Sequence, residues 1–394
     1  MNKKVSLGVT ISLIAVACAI TFVLTMTVSL NMYNSMVSGI QERENIYNKI
    51  REIDSFVRAS SIYDIEEETL INGIMNGYIA GTSDEYARYY TAEEYYRLQQ
   101  EESGVIIGTG METQISGQYL EVTYVYEGSP AEIEGIQVGD RIVAVNGQSL
   151  LEYDTETAQN MLLGEDGTRV SVTMQDPDGT QRSAVLIRQQ IEIQSVHSDL
   201  INGYAYISIS TFNELTAAQF IEEIEKYEAQ SVLGYVFDVR GCSRGIITPL
   251  EQMLNKLLPA GIIATDIEAD GTETNLVETD GSSAIEKPMA VLVDNGTACV
   301  AELFAASLRD FAGASLVGQF TAGKSELQTT QSFKDGSAVS VSTSRVKPAR
   351  SDIFTDTGLI PDYDVEAPPE QVVQIGNPDN DFQLQRALEV VAAQ

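Results

Sequence analysis

Residues 128–147 read GSPAEIEGIQVGDRIVAVNG, and this stretch decides the fold of the middle of the chain. Ser129-Pro130-Ala131 predicts the start of a short helix, because proline is tolerated in the first helical turn. Residues 142–145 are all apolar and predict a strand, and Asn146-Gly147 is a turn typical of a β-hairpin. The stretch therefore predicts a compact β-rich unit.

The order of these features resembles a PDZ domain, which we delimit to 103–190. A Gly-Ser-Pro-Ala turn followed by Gly-Asp and Val-Asn-Gly is a specific short signature. An amphipathic helix is predicted over 155–163 and an alternating strand over 168–174. The resemblance implies that a peptide adds as a strand. Its carboxylate would bind backbone N–H groups of four consecutive residues, Ser103, Gly104, Val105 and Ile106.

Residues 191–394 alternate predicted strands and helices, which is typical of an α/β domain. The strands are predicted at 204–209, 232–239 and 289–293. The helices are predicted at 217–227, 248–258 and 301–311. The fold class is therefore α/β multidomain, with a β-rich unit preceding an α/β domain.

Two segments precede the PDZ-like unit. Residues 5–30 are free of charge and mostly apolar, and they follow Lys3 and Lys4. The length predicts a transmembrane signal-anchor over 1–30, with the N-terminus cytoplasmic and the rest extracytoplasmic. The alternatives are a cleaved signal peptide and a lipoprotein signal that ends at Cys18. Residues 31–102 predict helices, one of them over 66–79.

The composition excludes several function classes. The 394 residues include 24 basic and 57 acidic side chains, a formal net charge of −33, which argues against nucleic-acid binding. A single histidine, His197, excludes a zinc site built from several imidazoles, and we interpret it as structural. The three cysteines are too few for a disulfide scaffold. We predict no metal and no cofactor, and the sequence leaves the oligomeric state open, a homo-oligomer included.

Several segments of the chain resemble the carboxyl-terminal processing (tail-specific) proteases. The resemblance is collinear and covers everything after the apolar run. Its three most informative segments are GYVFDVR at 234–240, DNGTACVAE at 294–302 and VGQFTAGKSELQ at 317–328. Residues 83–91, 209–212 and 358–362 also resemble family segments.

The resemblance implies a catalytic arrangement. The family uses a serine nucleophile, a lysine base 25 residues later and a glutamine four residues further on, which orients the lysine. In this sequence those spacings give Cys299, Lys324 and Gln328, so cysteine stands at the serine position. The resemblance also implies an oxyanion site at the N–H groups of Val300 and Gly245, with supporting residues Glu302, Asp310 and Thr321.

The cysteine changes the expected chemistry. A free thiol has a pKa near 8.5, and a neighbouring lysine and a helix N-terminus both lower it. We therefore predict that Cys299 forms a thiolate beside an ammonium on Lys324. Sulfur is larger than oxygen, so an oxyanion site shaped for serine accepts it less well. The loop that helps to bind the oxyanion in the family also differs in this sequence. Arg244 stands where the family has a glycine, whereas Gly245 is retained.

Two functions follow as hypotheses. The first is an endopeptidase with Cys299 and Lys324 as a dyad, acting on polypeptides whose exposed apolar C-termini bind the PDZ-like unit. The second is a catalytically silent homologue that only binds peptides; Cys299 and Arg244 favour it, whereas the retained Lys324 favours the enzyme. A further hypothesis is a reversible disulfide between Cys242 and Cys299, since the family framework places Cys242 opposite the nucleophile turn.

Overall fold

The computed structural model describes residues 7–117, 119–150, 161–175, 179–351, 358–366 and 375–394. The helix predicted over 155–163 lies mostly outside these residues. The chain divides into two compact units, 1–74 and 75–394.

The helices are α1 Leu7–Ser60, α2 Glu67–Ala80, α3 Ala92–Ser103, α4 Pro130–Ile133, α5 Thr216–Ala229, α6 Thr248–Leu257, α7 Val300–Ala312 and α8 Phe382–Ala393. The strands are β1 Arg88–Tyr90, β2 Val105–Gly108, β3 Met111–Ser116, β4 Tyr119–Val125, β5 Arg141–Val145, β6 Gln148–Ser149, β7 Arg169–Gln175, β8 Gln181–Ile187, β9 Gln189–Glu192, β10 Val196–Ile201, β11 Tyr204–Ile209, β12 Tyr235–Asp238, β13 Gly261–Glu268, β14 Glu273–Thr279, β15 Met289–Val293, β16 Ser315–Gly318, β17 Glu326–Ser332, β18 Ala338–Pro348 and β19 Tyr363–Asp364.

The predicted membrane anchor over 1–30, and with it the single-pass topology, is wrong. Among the residues that the structure describes, no helix combines the length and the apolar character needed to cross a membrane. Helix α1 runs without a break from Leu7 to Ser60, so the apolar residues do not form a helix of their own but continue into a charged segment. Near the C-terminal end of α1, Arg58 pairs with Asp54 at 2.7 Å.

A six-stranded sheet forms the centre of the α/β region, in the order β10-β11-β12-β15-β16-β19. Strands β11, β12, β15, β16 and β19 are parallel, and β10 is antiparallel to β11. The predicted strands at 204–209 and 289–293 are confirmed to the residue. The three predicted helices of this region are confirmed as α5, α6 and α7 within two residues at each end.

Buried aromatic rings bind the helices to this sheet. Phe237 of β12 lies within 5.6 to 5.7 Å, between ring centroids, of Phe220, Tyr235 and Phe304. Burying one such side chain contributes about 1.5–3 kcal/mol. Because Phe304 lies on α7, this core fixes the helix that begins immediately after Cys299.

The PDZ-like unit is an antiparallel sheet in the order β3-β4-β5-β7-β8, with β6 paired to β5. The strand predicted over 168–174 is confirmed as β7, and the helix begun by Pro130 is confirmed as α4. Strands β2 and β9 form a separate two-stranded ladder. A further sheet has the order β1-β18-β13-β14, with β17 paired to the other side of β18.

Candidate active site

Three loops meet at one edge of the central sheet. They follow the carboxyl ends of β12, β15 and β16, which are neighbouring parallel strands. Loops in this position line the crevice in which open α/β sheets bind ligands. The loops cover residues 239–245, 294–299 and 319–324 and contain the predicted glycine turn, nucleophile and base.

Cys299 ends the second loop and caps α7. Its φ of 54° lies in the left-handed region, which a residue with a side chain rarely adopts. Such strain is typical of a functional turn. The N–H of Ala298 donates to the Cys242 carbonyl at 3.0 Å, which ties this turn to the first loop.

The carboxylate of Glu302 joins the nucleophile turn to the base loop. Glu302 is fully buried, and its Oε2 accepts from the backbone N–H of Cys299 at 2.9 Å and of Lys324 at 3.0 Å. Its Oε1 accepts from the N–H of Gly323 at 2.7 Å and from the Thr321 hydroxyl. Since one oxygen serves both, the backbone nitrogens of Cys299 and Lys324 lie no more than 5.9 Å apart.

The Lys324 ammonium lies over an aromatic ring. Its Nζ is 4.5 Å from the ring centroid of Tyr86. We find no hydrogen bond or ion pair from this Nζ to the part of the chain that the structure describes. Its positive charge nevertheless acts on Cys299, since it lowers the pKa of that thiol.

The net pKa of the Cys299 thiol is raised, which contradicts the prediction of a lowered value. Burial is the largest cause of the rise, and the carboxylates of Glu302 and Glu326 add to it. The charge of Lys324 and the N–H of Val300 oppose these effects without overcoming them. The sequence identified both opposing groups, but it contained no measure of how deeply the turn is buried.

The Gln328 side chain contacts Tyr86, whereas the family resemblance predicts that it contacts Lys324. Its side-chain nitrogen donates to the Tyr86 carbonyl at 2.8 Å. No pattern in the sequence assigned a role to Tyr86. The resemblance of residues 83–91 to the family was the one signal that placed this segment among the functional parts of the chain.

The predicted oxyanion residues lie on two elements. Val300 is the first residue of α7, where backbone N–H groups point away from the helix. Gly245 has a φ of 141°, and a Cβ at this position would come within 2.7 Å of the Phe212 carbonyl oxygen. The N–H of Gly245 donates to no residue in the described ranges. The neighbouring Arg244 directs its guanidinium outward, 3.8 Å from Glu101, with its side chain 72% exposed.

The supporting residues divide into two groups. Thr321 belongs to the site, because its hydroxyl donates to Glu302 and accepts from the N–H of Leu359 at 2.7 Å. Asp310 lies near the C-terminal end of α7, where it accepts from Arg309 and Ser351, and it makes no contact with the catalytic loops.

All three cysteines are free thiols. Cys242 is completely buried behind the nucleophile turn, and its Sγ lies 3.9 Å from the Arg244 carbonyl. Burial raises its pKa to about 12. The disulfide between Cys242 and Cys299 stays a hypothesis.

The predicted carboxylate site of the PDZ-like unit lies where α3 ends and β2 begins. Gly104 caps α3 in the left-handed conformation, and its N–H donates to the helix carbonyls. The N–H of Val105 donates to the Ser103 hydroxyl at 3.2 Å. Val105 and Ile106 pair with Glu192 and Ile191 of β9. Hence these backbone groups do not form an open anion site.

Comparisons with known proteins agree with this geometry. The family model Peptidase family S41 matches residues 203–365, and a PDZ domain model matches residues 121–176. The Bacillus subtilis "Carboxy-terminal processing protease CtpA" is 25% identical over 354 residues, covering 90% of this chain and 75% of that protein. The chain belongs to the carboxyl-terminal processing peptidases. The fold of this peptidase is also similar to that of an S41 protease structure from Bacteroides fragilis, with a TM-score of 0.52 at 17% identity, covering 85% of this chain and 93% of that one.

Proposed function

We propose that this peptidase cleaves polypeptides with Cys299 as nucleophile and Lys324 as proton acceptor and donor. The Glu302 carboxylate carries the proposal, because one of its buried oxygens binds the backbone of both residues. A nucleophile and its base must be held at a fixed separation for proton transfer, and this carboxylate supplies the constraint.

In the first step, the neutral amine form of Lys324 takes the thiol proton while Sγ of Cys299 bonds to the carbonyl carbon of the substrate, and the electron pair of the C=O π bond moves to the oxygen. The N–H groups of Val300 and Gly245 stabilise the negative charge on the carbonyl oxygen. When the C–N bond breaks, Lys324 gives its proton to the leaving amine and a thioester remains. Lys324 then takes a proton from water, whose oxygen attacks the thioester, and returns that proton to the Cys299 sulfur.

The raised pKa of Cys299 makes the base necessary. At neutral pH the buried thiol is mostly protonated, because burial disfavours the thiolate. A protonated thiol is a poor nucleophile, so its proton must leave as the bond to the substrate forms. We assign this role to the neutral amine form of Lys324, because the Lys324 side chain lies close enough to act electrostatically on this thiol.

We also propose that the PDZ-like unit binds substrate C-termini along β3. Among the strands that the structure describes, β3 pairs only with β4, so its other edge can add a peptide strand. The loop before β3 is rigidly held, because Ala131 N–H donates to the Thr109 carbonyl at 3.0 Å and the Ser129 hydroxyl donates to the Gly110 carbonyl at 3.1 Å. Such a loop is pre-organised to present backbone N–H groups to a carboxylate.

Incubation of the full chain with an unfolded protein that has an apolar C-terminus tests the catalytic proposal. We expect the wild type to produce fragments, Cys299→Ala to produce none, and Cys18→Ala to behave as the wild type because Cys18 lies on α1, outside the proposed site. Binding without cleavage by the wild type would support the silent homologue instead.

Amidation of a bound peptide tests the recognition proposal. Loss of the terminal carboxylate should weaken binding by about 1–3 kcal/mol, because charge-assisted hydrogen bonds are lost. Isothermal titration with matched free and amidated peptides measures this difference. Equal affinities would show that the PDZ-like unit does not recognise the terminal carboxylate.

A further inference from the structure

The segment 84–86 precedes β1 and is tied to one point of the β17–β18 hairpin. The Asp84 carboxylate accepts from the Ser342 N–H at 2.8 Å and from its hydroxyl at 2.9 Å. Gln328 donates to the Tyr86 carbonyl at 2.8 Å. Gln328 and Ser342 are paired neighbours across the hairpin. Both ends of the segment, Asp84 and the Tyr86 carbonyl, are therefore fixed to the hairpin.

The Tyr86 side chain presents an aromatic face to the lysine. Its ring centroid lies 4.5 Å from Lys324 Nζ, within the range of an attractive cation–π contact. Burial and the neighbouring Glu85 raise the pKa of the Tyr86 hydroxyl to about 12. The phenol is therefore neutral at neutral pH, and the lysine meets a ring rather than a phenolate.

The charges of several carboxylates act on Tyr86, whose ring the lysine contacts, and on Cys299. The groups whose charges act on this region are Glu302 of α7, Glu326 of β17 and Glu85 beside Tyr86. The lysine side chain is flexible, with a four-carbon stem and a compact charge. Without the ring, these carboxylates could draw the amine away from the Cys299 sulfur.

We propose that Tyr86 is a positioning residue whose ring holds Lys324 Nζ beside Cys299, and that Gln328 acts on the lysine through the Tyr86 backbone. The inference rests on the proposed Cys299–Lys324 dyad. It explains how a glutamine that contacts a backbone carbonyl more than 200 residues away still affects the base.

Four full-length proteins test the proposal: the wild type, Tyr86→Leu, Tyr86→Phe and Tyr363→Leu. Tyr363 is a matched control, because its ring also makes a cation–π contact: the guanidinium carbon of Arg386 on α8 lies 4.7 Å from the ring centroid. Two quantities are measured for each protein. The first is kcat and KM for a fluorogenic peptide with an apolar C-terminus, and the second is the rate of Cys299 modification by iodoacetamide, followed by mass spectrometry.

We expect Tyr86→Leu to lower kcat by about 3- to 30-fold at unchanged KM and to slow Cys299 alkylation by about 3- to 10-fold. Tyr86→Phe keeps the ring and should restore both values to within about twofold of the wild type. Tyr363→Leu should match the wild type. Unchanged values for Tyr86→Leu, or an equal defect in Tyr86→Phe, would overturn the proposal. Faster alkylation of Tyr86→Leu would also overturn it, since the ring would then only shield the thiol.

The two proposals fail in different ways. A wild type that cleaves nothing refutes the proposed function, while the alkylation rates still decide the role of Tyr86. If Tyr86→Leu does not fold, Gln328→Leu keeps the ring but removes its backbone anchor, and it should slow alkylation in the same direction. An unchanged rate in that variant would overturn the proposal.

Discussion

The two loops that flank Cys299 are fixed by different means. The base loop, 319–324, is held by a side chain, because the buried Glu302 carboxylate accepts three of its four hydrogen bonds from this loop. The glycine loop, 239–245, is held instead at several separate points along its backbone. The N–H of Gly241 donates to the Asp294 carboxylate at 2.8 Å, the Val239 carbonyl accepts from the Thr297 hydroxyl at 2.9 Å, and Gly245 lies directly against Phe212.

This difference explains which sequence changes each loop accepts. Arg244 has a φ outside the left-handed region and an exposed side chain, so an arginine fits there without moving the backbone. Gly245 has no room for a Cβ. The replacement of a family glycine by Arg244 therefore leaves the shape of the loop intact, and the retained Gly245 is the residue on which that shape depends.

Removing the carboxylate of the base loop should have the largest effect. Glu302→Ala leaves three backbone N–H groups and one hydroxyl without their acceptor, and we expect it to lower the free energy of unfolding by about 3–5 kcal/mol. Urea denaturation measures this loss. Asp310→Ala is the matched control on the same helix and should cost about 1–2 kcal/mol. Equal losses in the two variants would contradict the special role of Glu302.

Adding one methyl group to the glycine loop should have the next largest effect. Gly245→Ala forces a Cβ against the Phe212 backbone at an unfavourable φ, and we expect a loss of about 2–3 kcal/mol in the free energy of unfolding. Peptidase activity should fall with it, because the Gly245 N–H moves. A variant with normal stability and activity would show that the loop is not held by its backbone.

The thiols of the two loops should react at different rates. Cys242 is completely buried with a pKa of about 12, whereas Cys299 is partly accessible and is acted on by Lys324. We expect iodoacetamide to modify Cys299 at least about tenfold faster than Cys242. Equal and slow labelling of both thiols would count against the proposed dyad.

The same experiment gives a pH dependence. The folded pKa of Cys299 lies above its ordinary value, so its alkylation rate should still increase at pH values where a free thiol, with a pKa near 8.5, is already mostly ionised. Lys324→Met removes a charge that lowers this pKa and should move the profile to higher pH. A profile that levels off below pH 8 would contradict the raised pKa.

Arg244→Gly should have the smallest effect. The guanidinium is exposed and lies 3.8 Å from the carboxylate of Glu101, which is also exposed, and such pairs contribute about 0–1 kcal/mol. We expect a change below about 0.5 kcal/mol in unfolding and no loss of activity. A large loss would mean that the arginine holds the loop and that the two loops are fixed in more similar ways than their contacts indicate.

Much of the fold could be predicted from local sequence. The periodicity of apolar residues predicted the strands and helices of the α/β region, and the Pro130 turn predicted α4, because these features depend on neighbouring residues. The apolar N-terminal run misled the prediction of a membrane anchor, because among the described residues no helix is both long and apolar enough to cross a membrane.

The predicted peptide site illustrates the same limit. The resemblance to PDZ domains implied an anion site at Ser103-Gly104-Val105-Ile106, but the resemblance did not show how these residues pair with distant strands. In the folded chain β9 pairs with β2, more than 80 residues away, and the Gly104 N–H caps α3. Among the described strands of the PDZ-like sheet, β3 is one of those with a free edge.

For the proposed active site, the candidate residues came from the sequence alone: Cys299 at the proposed nucleophile position, Lys324 and Gln328 at the spacing that the family resemblance implies, and Gly245 in the glycine loop. Only the tertiary structure decided what surrounds them. It placed Tyr86 over Lys324, directed Gln328 to the Tyr86 carbonyl and buried the thiol deeply enough to raise its pKa. The physical reason is that spacing is a property of the chain, whereas solvation and contacts between distant segments exist only once the chain has folded.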